Sequence, residues 1–141
     1  MGEARDVMDR ATELITSGNR EELQNCYADD ATAVTPDQGE LKGADAIMNW
    51  FRQFNEAIPD ARFEPLYAHE VGDTAIDEGY FTGTNTGPLA LPTGETIPAT
   101  GKQVRVRGCD VATVLDGRIT SHRFYFDQME FLSQLGLVPE A

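Results

Sequence analysis

An aspartate and a histidine, Asp110 and His122, lie on two strand-like runs near the end of the chain, joined by an Asp116-Gly117 turn. The chain has only two histidines. A carboxylate beside an imidazole fixes the tautomer of the ring and raises its basicity. Such a base can remove a proton from a carbon next to a carbonyl, as an aldol closure, an isomerisation or a dehydration requires. We therefore predict that Asp110 and His122 are catalytic.

The geometry of the turn decides whether these two groups meet. A three-residue loop with a glycine bulge would set Asp110 directly opposite His122. A two-residue type I′ turn would set Asp110 opposite Arg123, in an ion pair worth about 0–1 kcal/mol if exposed. We favour the first geometry, because Leu-Asp-Gly suits a type I turn followed by a left-handed glycine.

An aromatic stripe on a predicted helix is the second candidate feature. Apolar residues from Ile47 to Ile58 recur at helical spacing, and Pro59 ends the helix because proline disfavours a helical residue before it. Such a stripe is typical of a core, but it also suits one wall of an apolar pocket. Tyrosines could also hydrogen-bond an enolate oxygen. The aromatic residues that we expect to contact a substrate are Tyr27, Trp50, Phe51, Phe54, Tyr80 and Phe124.

Two further helices are predicted before this stripe. Apolar residues at helical spacing from Val7 to Ile15 indicate the first, and Gly18 ends it because glycine accepts the left-handed conformation. Asn19 and Glu22 form an N-x-x-E capping box that begins a second, short helix. We expect the apolar face of this second helix to extend to Tyr27.

A last short helix is predicted at the carboxyl end. Asp127 and Glu130 form a second capping box, D-x-x-E, which makes a cap the simplest role for Asp127. The helix should end at Gly136, with Pro139 beyond it.

Strands fill the region between these helices. Alternating residues follow Pro59, with an interruption at Pro65 that suggests an edge or a bulge, and a Pro/Gly-rich loop spans residues 88–101. Helices segregated to one side of such strands define the α+β class. We predict one domain over residues 1–141, in which a curved antiparallel sheet wraps around the N-terminal helices and leaves a conical cavity.

Composition excludes several classes of function. The net charge of −13 argues against nucleic acids and anionic membranes as partners, because both would be repelled. There is no apolar run of about 18 residues and no signal-peptide pattern, so we expect a cytoplasmic protein. Two cysteines and two histidines without ligand spacing predict no metal site. No Gly-rich phosphate loop is present, so the sequence gives no support for a bound nucleotide.

Several segments together resemble one family. They are GYFTGTNTGPL, ATGKQVRVRGCDV, VLDGRITSH, YFDQMEFLSQLGL and the helix GADAIMNWFRQFNEAIPDARFE. They are similar to the SnoaL-like polyketide cyclases, also called ester cyclases, of the nuclear transport factor 2-like superfamily. The resemblance covers residues from about Arg5 to Leu137. It implies a cystatin-like α+β cone, a cofactor-free pocket with acid/base residues on the last strands, and a homodimer formed through the open face of the sheet.

Three functions follow from these expectations. The first is a lyase or isomerase, resembling polyketide cyclases, that acts on a hydrophobic carbonyl compound. The second is a module of the same fold that binds a small molecule, or dimerises, without catalysis. The third is epoxide or ester hydrolysis, which needs two carboxylates and an activating arginine around one water. The sequence supplies Asp110, Arg105 and Arg107 for such a site. Alternation sets Asp110 and Arg107 on opposite faces unless Gly108 marks a bulge.

Overall fold

The computed structural model describes residues 2–91 and 93–138, and this part of the chain contains four helices and eight strands. The helices are α1 (Glu3–Ser17), α2 (Arg20–Gln24), α3 (Ala44–Ala57) and α4 (Gln128–Gln134). The strands are β1 (Tyr27–Thr35), β2 (Gly39–Lys42), β3 (Arg62–Val71), β4 (Thr74–Thr84), β5 (Leu89–Ala90), β6 (Thr96–Ile97), β7 (Gln103–Leu115) and β8 (Arg118–Phe126).

The end of α1 and the beginning of α2 lie at the residues predicted to cap them, Gly18 and Asn19. Gly18 ends α1 in the left-handed conformation, with φ of 74°. The Asn19 side chain caps α2 by accepting a hydrogen bond from the Glu22 amide at 3.2 Å. The apolar face of α2 is shorter than expected, because Tyr27 is already the first residue of β1.

Six strands form one curved sheet in the order β2-β1-β8-β7-β4-β3. Adjacent strands in this sheet are antiparallel, except β1 and β8, which are parallel. A parallel pair needs a long connection, and α3 and the intervening strands provide it. The irregularity predicted at Pro65 is present, since the β3–β4 register shifts between Pro65 and Tyr67. The expected α+β class is confirmed.

The helices cover one face of the sheet. Residues of α1 and α3 bury their apolar sides against β1, β7 and β8, in a core that includes Met8, Phe51 and Ile119. A second core cluster joins the end of α3 to β7 and α4 through Ile58, Val106 and other apolar residues. The interior of the fold therefore lies between the aromatic helix and the concave sheet face.

The Pro/Gly-rich loop is fastened at its base. Asn85 is fully buried; its side-chain amide donates to the Ala57 carbonyl at 3.0 Å and accepts from the Thr100 amide at 2.9 Å. These bonds hold the two ends of the loop against the end of α3. Between them, β5 and β6 pair as a short hairpin, and the first of these strands reaches the interior.

The C-terminal helix also follows its predicted signals. The Asp127 side chain accepts a hydrogen bond from the Glu130 amide at 3.1 Å and so caps α4. Gly136 has φ of 74° directly after the helix. Pro139 lies outside the described residues. Within the described part, no helix is long and apolar enough to cross a membrane.

Candidate active site

The turn between β7 and β8 is the two-residue type I′ turn that we weighed as the alternative. Asp116 and Gly117 have φ of 53° and 77°, and Leu115 pairs with Arg118, as in a two-residue type I′ turn. The register then shifts, so that Thr120 is an extra residue and forms a bulge. The favoured three-residue loop is therefore wrong. The bulge adds one more position of offset to that of the two-residue turn, and this second shift returns His122 to the same face of the sheet as Asp110.

Because of this bulge, Asp110 pairs with Phe124, and His122 pairs with Ala112. Residues two apart on a strand share a face, so Asp110 and His122 are diagonal neighbours on the same side of the sheet. Their side chains meet: His122 Nε2 lies 2.6 Å from Asp110 Oδ2. The predicted direct pairing is incorrect, but the predicted contact between the two groups is present.

His122 is buried behind Asp110 rather than exposed to a cavity. Its relative exposure is 0%, and its ring stacks on that of Phe124 at 4.0 Å between centroids. The second ring nitrogen, Nδ1, lies 2.6 Å from the hydroxyl of Tyr27. Burial, followed by the nearby charge of Asp110, raises the pKa of the Tyr27 phenol well above its ordinary value, so this group is a neutral donor.

The donor and acceptor roles in this chain of three groups follow from their chemistry. An ionised carboxylate only accepts, so His122 donates its Nε2 hydrogen to Asp110. The other nitrogen, Nδ1, then accepts the hydrogen of the Tyr27 hydroxyl. The three side chains form a Tyr27–His122–Asp110 relay in which a neutral imidazole holds one oxygen of the carboxylate.

Asp110 is the member of this relay that lines a cavity. The cavity has a volume of about 1180 Å³, counting the open space at its mouth, and its lining is mostly apolar. The Asp110 side chain is 18% exposed. A carboxylate therefore stands in the wall of an open, largely apolar cavity, as is common for sites that bind and orient a small molecule.

Four of the six aromatic residues predicted to contact a substrate line this cavity: Trp50, Phe51, Phe54 and Phe124. The Trp50 and Phe124 rings are 5.0 Å apart, and the Phe51 and Phe124 rings meet edge to face at 5.9 Å. Asp37, which the sequence did not single out, also lines the cavity and accepts hydrogen bonds from Trp50 Nε1 at 3.2 Å. The aromatic stripe predicted from the sequence lies on α3 and forms part of both the core and the cavity wall.

The other two aromatic residues are elsewhere. Tyr80 pairs with Arg107 in the β4–β7 ladder. The guanidinium carbon of Arg105 lies 3.7 Å from the centroid of the Tyr80 ring. The next residue of β4, Phe81, lines the cavity. Strand alternation therefore places Tyr80 on the outer face of the sheet, and the expectation that it contacts a substrate is corrected. Tyr27 is fully buried, and its hydroxyl reaches His122 instead of the cavity.

The arginines needed for the hydrolysis alternative also lie on the outer face. Arg107 forms an ion pair with Glu78, and Arg105 with Glu64 at 3.2 Å. The β4–β7 register runs without a shift through Gly108, so no bulge turns Arg107 towards Asp110. These arginines do not supply the activating cation that this alternative requires.

A family model for the SnoaL-like domain matches residues 8–122, which include both Asp110 and His122. The chain belongs to the SnoaL-like family. No relative is found among curated proteins. The SnoaL-like fold that the resemblance predicted is thus the one observed, and Asp110 and His122 lie on its last two strands, β7 and β8.

Solved structures with the same fold carry several names. A protein from Jannaschia sp. CCS1, assigned as a SnoaL-like polyketide cyclase, is 16% identical with a TM-score of 0.84, covering 97% of this chain and 94% of its own. IdmH from Streptomyces antibioticus, assigned as a polyketide cyclase, is 23% identical with a TM-score of 0.77, covering 94% and 98%. An LEH-like epoxide hydrolase from M. tuberculosis is 17% identical with a TM-score of 0.72, covering 94% and 89%. At these identities the likeness shows the fold.

The ion pair between Arg5 and Asp77 was not predicted from the sequence. Of Asp77 and Glu78, only one could point inward, and the structure shows that it is Asp77, which is 5% exposed. Arg5, on α1, reaches it with Nη2 at 2.7 Å from Asp77 Oδ1. An arginine in the first turn of an amphipathic helix normally indicates a solvated position, so only the tertiary contact reveals it. No group of three or more His, Cys, Asp or Glu in the described residues is placed to hold a metal ion.

Proposed function

We propose that this protein is a cofactor-independent acid/base enzyme, a lyase or isomerase that acts on a hydrophobic carbonyl compound and uses Asp110 to transfer the proton. One observation carries the proposal: the Asp110 carboxylate lines an apolar, aromatic-walled cavity and is held from behind by His122 at 2.6 Å. Apolar surroundings raise the free energy of an ionised carboxylate. A carboxylate in such a wall is therefore best explained by a part in binding or catalysis.

The proposed step uses the two oxygens of Asp110 differently. Oδ2 accepts the hydrogen bond from His122, which leaves Oδ1 to accept a proton from a carbon next to the substrate carbonyl. The carbon–hydrogen bond breaks, its electron pair forms the enolate, and Asp110 becomes a neutral acid. Return of the proton to another atom of the substrate gives isomerisation. Attack of the enolate on a second carbonyl of the same molecule forms the new carbon–carbon bond, and the resulting alkoxide takes the proton from Asp110, which completes an aldol ring closure. A positioned base of this kind contributes about 10²–10⁴-fold to the rate.

His122 has a different role from the one predicted from sequence. A ring with no exposed surface does not touch a substrate, so we assign the proton transfer to Asp110 and treat His122 as a positioning residue. Tyr27 acts one step further back, because its hydroxyl fixes the tautomer in which His122 Nε2 carries the hydrogen. The relay thus holds the Asp110 side chain in one rotamer at the cavity wall.

The competing candidate is a SnoaL-like module that binds an apolar molecule in the same cavity without changing it. Hydrogen–deuterium exchange separates the two. Hydrophobic ketones are incubated with the protein in deuterated water, and NMR follows loss of the hydrogens next to the carbonyl. Protein-dependent exchange supports the enzyme. Ketones that bind, as seen in Trp50 fluorescence, but exchange no faster than without protein would support the binding module.

The proposal includes a cytoplasmic homodimer formed through the outer face of the sheet. That face exposes large side chains, among them Tyr67 and Tyr125 at 57% and 54%, beside the ion pair of Arg107 with Glu78. Aromatic and arginine side chains are enriched at interfaces. Light scattering after size-exclusion chromatography tests this: a Tyr125→Glu variant should shift a dimer towards monomer, and a monomeric wild-type protein would contradict it.

A further inference from the structure

The inner face of the sheet has a gap beside the candidate catalytic group. Gly108 lies two residues before Asp110 on β7, so the two share a face of the sheet, and both line the cavity. Across the β4–β7 ladder Gly108 pairs with a second glycine, Gly79, which also lines the cavity. Two opposed positions of this face therefore carry no side chain.

Gly79 has a structural reason to be glycine. A β-carbon there would clash with the Glu64 carbonyl oxygen and would lie 2.7 Å from Cζ of the Phe63 ring. The register of β3 shifts close to this point, between Pro65 and Tyr67, and a glycine inside a strand often marks such a bulge. The Phe63 ring covers this half of the gap.

Gly108 is under a much weaker constraint. Its φ is not positive, so other residues can adopt its backbone conformation. A β-carbon would lie 3.1 Å from the Tyr125 carbonyl oxygen, which a shift of a few tenths of an ångström relieves, and 3.6 Å from Phe126 Cβ. Apart from its chain neighbours, no other atom of the described residues would lie within 4 Å. Glycine weakens the interior of a strand, so its presence beside open space indicates the close approach of a ligand.

Aromatic side chains border this open position. On β8, Phe126 pairs with Gly108 and Phe124 pairs with Asp110, and both rings line the cavity. On the β4 side the Phe63 ring, which also lines the cavity, stands in front of the neighbouring glycine. Strands β4 and β8 lie about 9–10 Å apart with β7 between them, so the opening between their side chains is narrow. A narrow slot between rings favours a flat ring, because aromatic groups pack well face to face and edge to face.

We propose that Gly108 is a specificity-determining residue, and that the ring of a flat cyclic ketone lies directly on its backbone. The inference rests on the proposed function for the role of Asp110, but its test reads where the ligand lies and not whether it reacts. A ring in this slot brings the hydrogens next to its carbonyl towards Asp110, because the two residues are neighbours on one face. Rings with substituents above and below their plane are excluded, since they cannot reach the backbone.

The first experiment uses the wild-type protein and 1-indanone, a flat bicyclic ketone. With glycine labelled with carbon-13, NMR should show nuclear Overhauser effects between the ligand ring and the α hydrogens of Gly108. Gly79 is the matched control, because Phe63 covers its backbone, and its effects should be much weaker. 3,3-Dimethyl-1-indanone keeps the hydrogens next to the carbonyl but carries methyl groups above and below the ring, and it should bind at least about tenfold more weakly.

The second experiment adds the missing β-carbon to the protein. Gly108→Ala should unfold at a urea concentration close to that of wild type, because its one tight contact can relax. It should bind 1-indanone at least about tenfold more weakly, since the added methyl group fills the slot. Val111→Ile is the matched control: it adds one carbon to the same strand on the outer face and should bind 1-indanone as wild type does.

The outcomes separate this inference from the proposed reaction. It is overturned if 1-indanone does not bind, if the bound ketone makes no contact with Gly108, or if the two indanones bind equally. A folded Gly108→Ala with wild-type affinity also overturns it; if that variant does not fold, the contacts in the wild-type protein decide. If contacts and affinities are as expected but 1-indanone exchanges no hydrogen in deuterated water, the role of Gly108 stands and the proposed reaction fails.

Discussion

His122 Nε2 lies 2.6 Å from Asp110 Oδ2, although neither residue is the ladder partner of the other. The contact is diagonal and depends on the extra residue Thr120, which moves β8 by one position relative to the type I′ turn. Without that shift Arg123 would stand opposite Asp110, and His122 would point to the outer face. One bulged residue thus determines which side chain supports the cavity carboxylate.

Replacement of His122 should impair both the fold and the reaction. In His122→Ala the Tyr27 hydroxyl is left buried without its partner, which costs about 1–3 kcal/mol of the free energy of unfolding, and Asp110 loses its support. Urea denaturation measures the first effect, and kcat for an exchanging ketone the second. Wild-type stability in His122→Ala would contradict the buried relay.

Removal of the Tyr27 hydroxyl tests the far end of the relay. Tyr27→Phe leaves His122 Nδ1 buried without a donor, and we predict a loss of about 1–3 kcal/mol in the free energy of unfolding. The matched control is Tyr125→Phe, at an exposed outer-face position, which should change it by less than about 0.5 kcal/mol. Equal effects of the two substitutions would show that the Tyr27 hydroxyl bond contributes nothing specific.

Ligand binding should be visible in the fluorescence of Trp50. It is the single tryptophan of the chain and lines the cavity, so an apolar ketone that enters should change its emission. Phe54→Ala removes part of the aromatic wall and should weaken binding about tenfold or more, since a buried aromatic side chain contributes about 1.5–3 kcal/mol. Tyr67→Ala, on the outer face, should bind as wild type does. Equal loss in both variants would place the ligand elsewhere.

The free energy of unfolding should depend on pH because the Asp77 carboxyl is buried. Its pKa is raised above 3.8, by burial first and by Asp110 second. The folded state therefore binds this proton more tightly than the unfolded state, and the free energy of unfolding falls as the pH rises through the window above 3.8.

Asp77→Asn removes this contribution, so the stability of the variant relative to wild type should rise with pH across that window. Urea denaturation at a series of pH values measures the difference. Asp116→Asn, at the exposed turn, controls for the loss of one negative charge. A relative stability of Asp77→Asn that falls with rising pH would reverse the sign and contradict the account.

Local signals in the sequence predicted most of the fold. The glycine stop at Gly18, the caps at Asn19 and Asp127 and the break at Pro65 act over a few residues, so they are visible without tertiary structure. The α3 stripe predicted its cavity wall for the same reason.

The site was harder to predict because it depends on register and on distant contacts. No local pattern announces the extra residue Thr120, yet it sets which residues face Asp110. Alternation along β4 left the faces of Tyr80 and Asp77 undecided until neighbouring strands were placed. The partner of Asp77, Arg5, is 72 positions away in sequence, and only packing of α1 onto the sheet brings the two together.

The central claim is that Asp110 transfers the proton, and the most direct measurement compares Asp110→Asn with Asp116→Asn in the ketone exchange experiment. Asn keeps the size of each side chain and removes a carboxylate from the cavity wall or from the exposed turn. We predict that Asp110→Asn loses about 10²–10⁴-fold in exchange rate while the ketone still changes Trp50 fluorescence, and that Asp116→Asn exchanges at the wild-type rate. Exchange by Asp110→Asn at the rate of Asp116→Asn would contradict the claim.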